Sequence, residues 1–539
     1  MSGARCLALL AMVAACGGSP SLLDDEHTGG IAGEGSGKAN DPWANDAPSD
    51  DAPSADSGGG FGGFDFGGML SKITESMKRP GFYEAPEKSN DYDAEQPHLG
   101  VLALGGKVVE REAYSFSLFG GGSRGTELRK LVGRLREFAK DDKLRGLVIR
   151  FSGLEISLPD VVELRGVFGE FKAAGKSLEC HVEAASNATY LLLAACDRIG
   201  IAPLGQIAIT GPAAMPIHIK GLLDKLGIQA DFLHVGAYKG AAEPLTREAP
   251  SPEMETTLRE ILDRHYETMV AVIAKDRKLD RQAVQTLIDT GLFASEQAKV
   301  AKLVDEVGSF EAFRAGNKLP WTKVELDAAA GGEKLSSILK IWRFLGAMPP
   351  ERPVGEHVAV IYAIGNIVDG DGDGVLGARA EIASHTLVSA IRALTDDAAV
   401  KAVVLRIDSG GGSAQASELI WRAVNDLKAK KPVIVSMSDV AASGGYYIAS
   451  NATRIYALDN TLTGSIGVVG GKIAPGNALA KIGVSTFPRG RGRRATILAS
   501  FQPWNDDEKQ VIQKSMEEVY TVFTGRVADG RKIAIDKVK

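Results

Sequence analysis

The sequence predicts an α/β fold with mostly parallel sheets, present twice in tandem. Three observations lead there. Of 539 residues, 44% are hydrophobic and 24% charged, the balance of a chain that can bury a large core and form two or three domains. From residue 99 onward, short apolar runs of strand type alternate with longer segments whose apolar residues recur at helical spacing. The order of these segments then returns about 256 residues further on, the mark of an internal repeat.

LGVLAL (99–104) opens the first copy as a strand. TELRKLVGRLREFAKD (126–141) places apolar residues three and four apart, on one helical face. GLVIRF (146–151) is a strand, and PDVVELRGVFGEFKAAG (159–175) is a helix with proline in its first turn, where a missing N–H is tolerated. SLECHVE (177–183) is the next strand. Such alternation is the pattern of parallel βαβ units. The second copy repeats it with HVAVIYA (357–363), SHTLVSAIRALTDD (384–397), AVVLRID (402–408) and ASELIWRAVNDLKAKKPVIVS (416–436). KLGIQADF (225–232) lies over KIGVSTFP (481–488) without a gap. After the helix predicted within 507–532, nothing corresponds to LIDTGLFASEQAKVAKLVDEVGSF (287–310) of the first copy, so a fragment or incomplete gene model is expected.

The N-terminus has Arg5 ahead of a ten-residue apolar run, CLALLAMVAA (6–15). That is a secretory signal, too short to span a bilayer. Its ending, Val13-Ala14-Ala15-Cys16, resembles the bacterial lipoprotein lipobox, which implies cleavage before Cys16 and acylation of its sulfur. An ordinary signal peptide containing a cysteine is the plainer alternative. More than one acyl chain gives stable membrane anchoring. The expected organisation is a signal peptide (1–15), an acidic Gly/Ser/Pro-rich disordered tether (16–98), the first copy (99–310), a connector (311–355) and the second copy (356–539). SSILKIWRFLGAM (336–348) in the connector reads as an amphipathic helix.

No run of 18 apolar residues occurs, and the net charge of −6 carries no nucleic-acid footprint. Four cysteines are too few for a disulfide scaffold. Cys180 and Cys196 sit in apolar runs and read as core thiols, with a bridge between them as the alternative.

The chemistry concentrates in the second copy. Ser443 in DVAASGGYYIAS (439–450) follows a strand and precedes an expected helix from Gly444. Two glycines after a serine allow close backbone approach, and a helix N-terminus offers free N–H groups to an oxyanion. A plain N-cap is the other use of serine at such a place. RIDSGGGSAQASE (406–418) sets three glycines between a strand end and a helix, where backbone N–H groups can face a carbonyl oxygen. The phosphate-loop alternative lacks its Lys-Ser/Thr pair, and a simple turn is the bland one.

DSGGGSAQASE, AASGGYYIAS, NTLTGSIGVVGG (460–471) and GAYKGAAEPLTREAPS (236–251) together resemble signal peptide peptidase A, the long form also called protease IV. The resemblance spans most of 99–539. It implies a tandem Clp-protease/crotonase-like fold and a serine endopeptidase that degrades cleaved signal peptides and other hydrophobic peptides. It further implies a cell-envelope location facing the periplasm, assembly as a homotetramer, and no cofactor or metal. By position, Ser443 matches the nucleophile and Lys239 the general base, with Gly444 and Gly411 or Gly412 forming the oxyanion hole. Gly410 departs from the family's usual proline, which should loosen the loop.

The repeat tests this assignment. In the gap-free alignment Lys239 faces Ala495, with Arg493 and Arg494 near it; depending on a one-residue gap, Ser443 faces Ser186 or Asn187, with no Gly-Gly pair following in either register. SGLEISLP (152–159) likewise lacks the glycine loop. Each copy keeps half of a Ser–Lys dyad, so the dyad is expected to form between copies. A lysine base must be neutral. Burial among residues such as Ala237, Tyr238, Ala241 and Ala242 is the expected cause of a lowered pKa, whereas an ordinary lysine stays solvated.

Three other functions compete. A Ser-His-Asp triad would draw on His181, His234, His357 or His385, none in a recognisable catalytic motif. An acyl-CoA enzyme of crotonase type conflicts with the export signal, as CoA is cytosolic. A non-catalytic envelope lipoprotein that binds peptides conflicts with intact Ser443 and Lys239. Finally, Asp369, Asp371 and Asp373 match the start of an EF-hand loop, but the glutamate falls one place late and the run follows a strand, so a tight acidic turn is expected.

Overall fold

The computed structural model describes residues 86–111, 125–326, 353, 355–371, 381–489 and 493–538. The signal peptide, Cys16, the tether up to residue 85, Asp373 and the helix expected at 336–348 lie outside them.

In the first copy, β1 (His98–Val109) leads through α1 (Leu128–Lys140) to β2 (Leu144–Glu155). α2 (Leu158–Ala173) then leads to β3 (Ser177–Ala185), and α3 (Asn187–Leu193) to β4 (Arg198–Ala208). The four strands pair in that order, all parallel. α1 buries Leu128, Leu131, Val132, Leu135 and Phe138, the stripe that its spacing predicts. Ser157 caps α2 by accepting from the Asp160 N–H. Phe151, Phe168, Phe171 and Tyr190 fill the core, each contributing about 1.5–3 kcal/mol through burial. The copy closes with α4 (Lys220–Leu226), β5 (Gln229–Val235) and α5 (Pro252–Arg277), then shorter elements.

The second copy repeats the plan as β6 (His357–Ile364), α6 (Ser384–Asp396), β7 (Val400–Ser409), α7 (Ala414–Lys430), β8 (Val433–Ala442) and α8 (Gly444–Ala449). β6, β7 and β8 are again parallel, and β8 pairs with β9 (Leu462–Gly464). The likeness reaches single dihedrals: α1 and α6 end on Asp141 and Asp397, both at φ −74°, ψ 110°. α5 and α10 (Asp506–Arg531) are both 26 residues long and end on left-handed lysines, Lys278 and Lys532.

Two expectations need correction. The first copy runs past residue 310: Phe310 and Phe313 pack with Leu99 and Val148, and Trp321–Lys323 adds a strand beside β1. The stretch expected to match the start of β5, 485–488, forms no strand. Instead β10 (Val468–Ala474) pairs antiparallel with β5, Val468 opposite Val235 and Ala474 opposite Gln229. The copies still coincide just before this point, where α9 (Gly476–Lys481) ends: Lys481 Nζ donates to the carbonyl of Lys225, 256 residues away.

Both copies, from Lys88 onward, fall in one structural unit. Besides the β5–β10 ribbon, a buried polar cluster joins them. Arg406 of β7 donates from Nε to both oxygens of Glu110 at 3.1 Å and from Nη2 to Glu163 at 3.1 Å. Ser157 Oγ donates to Asp439 at 2.6 Å. Asp160 is 4% exposed and its Oδ1 has no hydrogen-bond partner. Burial, with Asp439 and Glu110 nearby, pushes its carboxyl up to about 8, and burial beside Asp439 pushes Asp408 up to about 6. The folded protein therefore holds protons that the unfolded chain releases above its ordinary carboxyl pKa of 3.8, so stability falls as pH rises from about 4 to 8. The ceiling for one such group is about 1.4 kcal/mol per pH unit. Asp160→Asn, which mimics the neutral acid, is expected to flatten this slope in denaturant titrations at pH 5–9. An unchanged slope would remove Asp160 from the account.

Cys180 on β3 and Cys196 beyond α3 form a disulfide, with Cα atoms 6.0 Å apart and a sequence separation of 16. The reading as separate thiols gives way because the helix returns its end to the strand that it left. The second copy has Val435 and Ala452 at these places, both buried. Closing a loop of this length stabilises by about 3 kcal/mol. The double variant Cys180→Ala/Cys196→Ala is expected to lose about that amount by chemical denaturation, and a reductant should then shift only the wild type.

Candidate active site

Ser443 sits at the hinge between β8 and α8, half-buried, with φ +52° and ψ −118°. A residue with a Cβ is strained there, by about 1–3 kcal/mol. Its equivalent in the first copy is Ser186, the residue before α3, with a relaxed φ of −82°. At the helix start Ser186 is the counterpart of Ser443, whereas the 256-residue offset places Asn187 there; of the two serines, only the one before Gly-Gly is strained. Both glycines are required by close packing. A Cβ on Gly444 would lie 2.6 Å from Ser417 Oγ, and one on Gly445 would lie 2.5 Å from the Ser409 carbonyl. The Ser443 N–H donates to the carbonyl of Gly464 at 2.9 Å, extending the Ala442–Gly464 pairing of β8 with β9.

The glycine loop after β7 wraps this hinge. Gly411 (φ +104°) lies against Ser443; a Cβ there would be 2.6 Å from the Gly444 nitrogen and 2.9 Å from Ser443 Cβ. Gly412 (φ +151°) lies against Ile367. The loop is clamped from two sides. Ser409 Oγ donates to the Gly365 carbonyl at 2.7 Å and accepts from the Gly411 N–H at 3.1 Å. Ile367 N–H donates to Gly411, and Ser413 N–H to Ile367. Gly410 is exposed with open space around it. These bonds hold the glycines on either side of Gly411 where a proline at 410 would otherwise stiffen the loop. Of the expected oxyanion donors, the Gly411 N–H is already committed to Ser409.

Lys239 arrives from the other copy, on the loop between β5 and α5. It is 8% exposed, and burial alone lowers its amine to about 8. Its Nζ donates to the carbonyl and to the hydroxyl of Ser465, both at 3.1 Å. Ser465 (φ +51°) directly follows β9, beside the Ser443 hinge. Gly467 makes room for the lysine stem; a Cβ there would lie 3.2 Å from both Lys239 Cβ and Cδ. The Ser443 hydroxyl is not among the hydrogen-bond partners of Lys239 in this state. The two are linked through the paired turns at 442–443 and 464–465. Catalytic hydrogen bonds often form only once substrate is bound.

Ser465 lies in NTLTGSIGVVGG, where nothing in the sequence around it distinguishes it from an ordinary turn residue. The first copy offers no second site. Asn187 exchanges hydrogen bonds with Gly211 (3.0 and 3.3 Å), and fully buried Ile209 stands where the repeat places Ser465. Arg493 and Arg494, near the vacated lysine position, both pair with Asp507. The histidines serve structure: His181, His234 and His357 bond backbone carbonyls, and His385 faces Asp371 at 3.5 Å. In the acidic turn, Asp369 accepts from Ser413 Oγ at 2.7 Å.

Residues 170–319 and 425–539 match Peptidase family S49. The chain is 31% identical over 426 residues to Serine protease SPPA, chloroplastic, of Arabidopsis thaliana, an alignment covering 77% of this chain and 61% of that protein. It is 29% identical to Protease 4 of Haemophilus influenzae, covering 76% of this chain and 66% of the relative. It is 30% identical to Protease 4 of Salmonella typhi, covering 83% and 74%. The chain thus spans somewhat under two thirds of the first two relatives' lengths. With two α/β copies, a strained serine hinge in one and a buried lysine from the other, the chain belongs to peptidase family S49.

Proposed function

We propose that this protein is a serine endopeptidase that degrades cleaved signal peptides and other hydrophobic peptides in the cell envelope. Ser443 is the nucleophile and Lys239 its general base. The observation that carries the reading is the buried Lys239 amine, held by Ser465 beside the serine hinge. A neutral amine has two N–H groups and one lone pair. Both N–H groups are taken by Ser465, which leaves the lone pair for the serine proton. As Ser443 Oγ bonds to the scissile carbonyl carbon, Lys239 takes its proton and the carbonyl oxygen becomes an oxyanion. The N–H groups of Gly444 and Gly412 face that charge, with Gly411 acting as the close-packed spacer. The tetrahedral intermediate collapses, the C–N bond breaks, and protonated Lys239 gives its proton to the leaving amine. Water, deprotonated by the same amine, then attacks the acyl-enzyme carbonyl; the bond from that carbon to Ser443 Oγ breaks, and Lys239 returns its proton to the serine oxygen.

Anchoring through acylated Cys16, a periplasm-facing location and assembly as a homotetramer belong to the same proposal. The Cys180–Cys196 disulfide supports export, since such bonds persist in oxidising compartments. Among the described residues no helix is long and apolar enough to cross a membrane. A fluorophosphonate probe tests the core of the proposal: it should label the wild type at Ser443 alone. Labelling at another residue would transfer the nucleophile's role there.

A further inference from the structure

One wall of the site takes no part in this chemistry. A pocket of about 190 Å³ opens beside Lys239 and Ser465. Gly240 forms part of it, and its missing side chain leaves the room; a Cβ there would lie 2.8 Å from both Glu243 Oε1 and Met254 Cε. Two carboxylates line the pocket, Glu243 and Glu253. Glu243 is fully committed: Oε1 accepts from Ser251 Oγ at 2.6 Å and Oε2 from the Ser251 N–H at 2.7 Å. Glu253, in the first turn of α5, is half-buried, and its carboxylate makes no hydrogen bond or ion pair among the described residues.

The remaining walls are amphipathic. Met254 supplies an apolar surface, and Tyr238, 67% exposed, supplies a ring face. An apolar slot with one unpaired carboxylate and an aromatic face is complementary to a long side chain that ends in a cation. Lys239 does not fill this need. Its amine faces Ser465, and burial alone shifts its pKa, with no part played by either glutamate. Leader peptides carry a basic segment beside their apolar run, so such a side chain is at hand in the proposed substrates.

We propose that this pocket is a subsite for a lysine or arginine side chain of the peptide substrate, and that Glu253 selects its charge. The inference rests on the peptidase reading above. Paired hydrophobic peptides that differ only by lysine or norleucine, scanned along the sequence, test it with wild type, Glu253→Gln and Glu255→Gln. Glu255 shares the first turn of α5, is exposed and lies outside the pocket lining, so it controls for the helix-dipole role of an acid there. At one peptide position the wild type should favour lysine by about tenfold in kcat/KM, mainly through KM. Glu253→Gln should erase that preference, bringing the lysine and norleucine peptides to equal kcat/KM, and Glu255→Gln should keep it. Glu253→Lys should favour glutamate at the same position. Wild type without a charge preference, or Glu253→Gln with the preference intact, overturns the subsite alone. No Ser443-dependent cleavage of any peptide overturns the peptidase reading and the subsite with it.

Discussion

Ser443→Ala is expected to lower peptide hydrolysis by about 10⁴-fold or more while the protein stays folded. The size follows from the role: without the attacking oxygen no acyl-enzyme forms, and only the oxyanion donors and binding remain. The structural cost should be small. The Ser443 hydroxyl makes no hydrogen bond among the described residues, and alanine carries the same Cβ into the strained φ of +52°. Denaturation midpoints should therefore coincide within about 0.5 kcal/mol. Ser186→Ala supplies the internal control. It occupies the equivalent hinge at a relaxed φ of −82°, and should leave kcat/KM unchanged. Hydrolysis by Ser443→Ala within tenfold of wild type would sink the assignment, as would equal losses in both variants.

The alternating fold was legible because parallel strands buried on both faces read as unbroken apolar runs. The strand that AVVLRID predicts at 402–408 is Val400–Ser409, and the amphipathic stripe of 126–141 is Leu128–Lys140. The Ser-Gly-Gly hinge was legible for a local reason: steric demands on Gly444 and Gly445 appear directly as residue type. What failed was non-local. Residues 485–488 match the start of β5 in sequence, yet no partner strand reaches them, since β5 is already paired with β10. Ser465 reads as a turn residue until an amine 226 positions earlier is brought to it. The Cys180–Cys196 bond depends on where α3 ends relative to β3, which periodicity does not specify. The Asp160–Asp439–Glu110 cluster exists only because two copies face each other, so the raised pKa values of Asp160 and Asp439 have no signature in either copy alone.

Dependence on both copies makes the lysine the more discriminating target. Lys239→Met is expected to lower kcat/KM by about 10³–10⁴-fold, the upper part of what a positioned general base supplies. Methionine keeps an unbranched apolar stem against Gly467 and removes the two bonds to Ser465, so stability should hold or rise slightly once a buried polar group is gone. Lys239→Arg should not restore turnover, because a guanidinium does not deprotonate in this range. The pH profile separates chemistry from packing. The active form is the neutral amine, whose pKa burial lowers to about 8. In the wild type kcat/KM should therefore climb tenfold per pH unit below about 8 and level off above it. Acid-side stability should not mimic this rise, since the Asp160 cluster makes the fold more stable, not less, as pH falls from 8 towards 4. A wild-type profile flat from pH 6 to 10 would mean that some other group takes the serine proton.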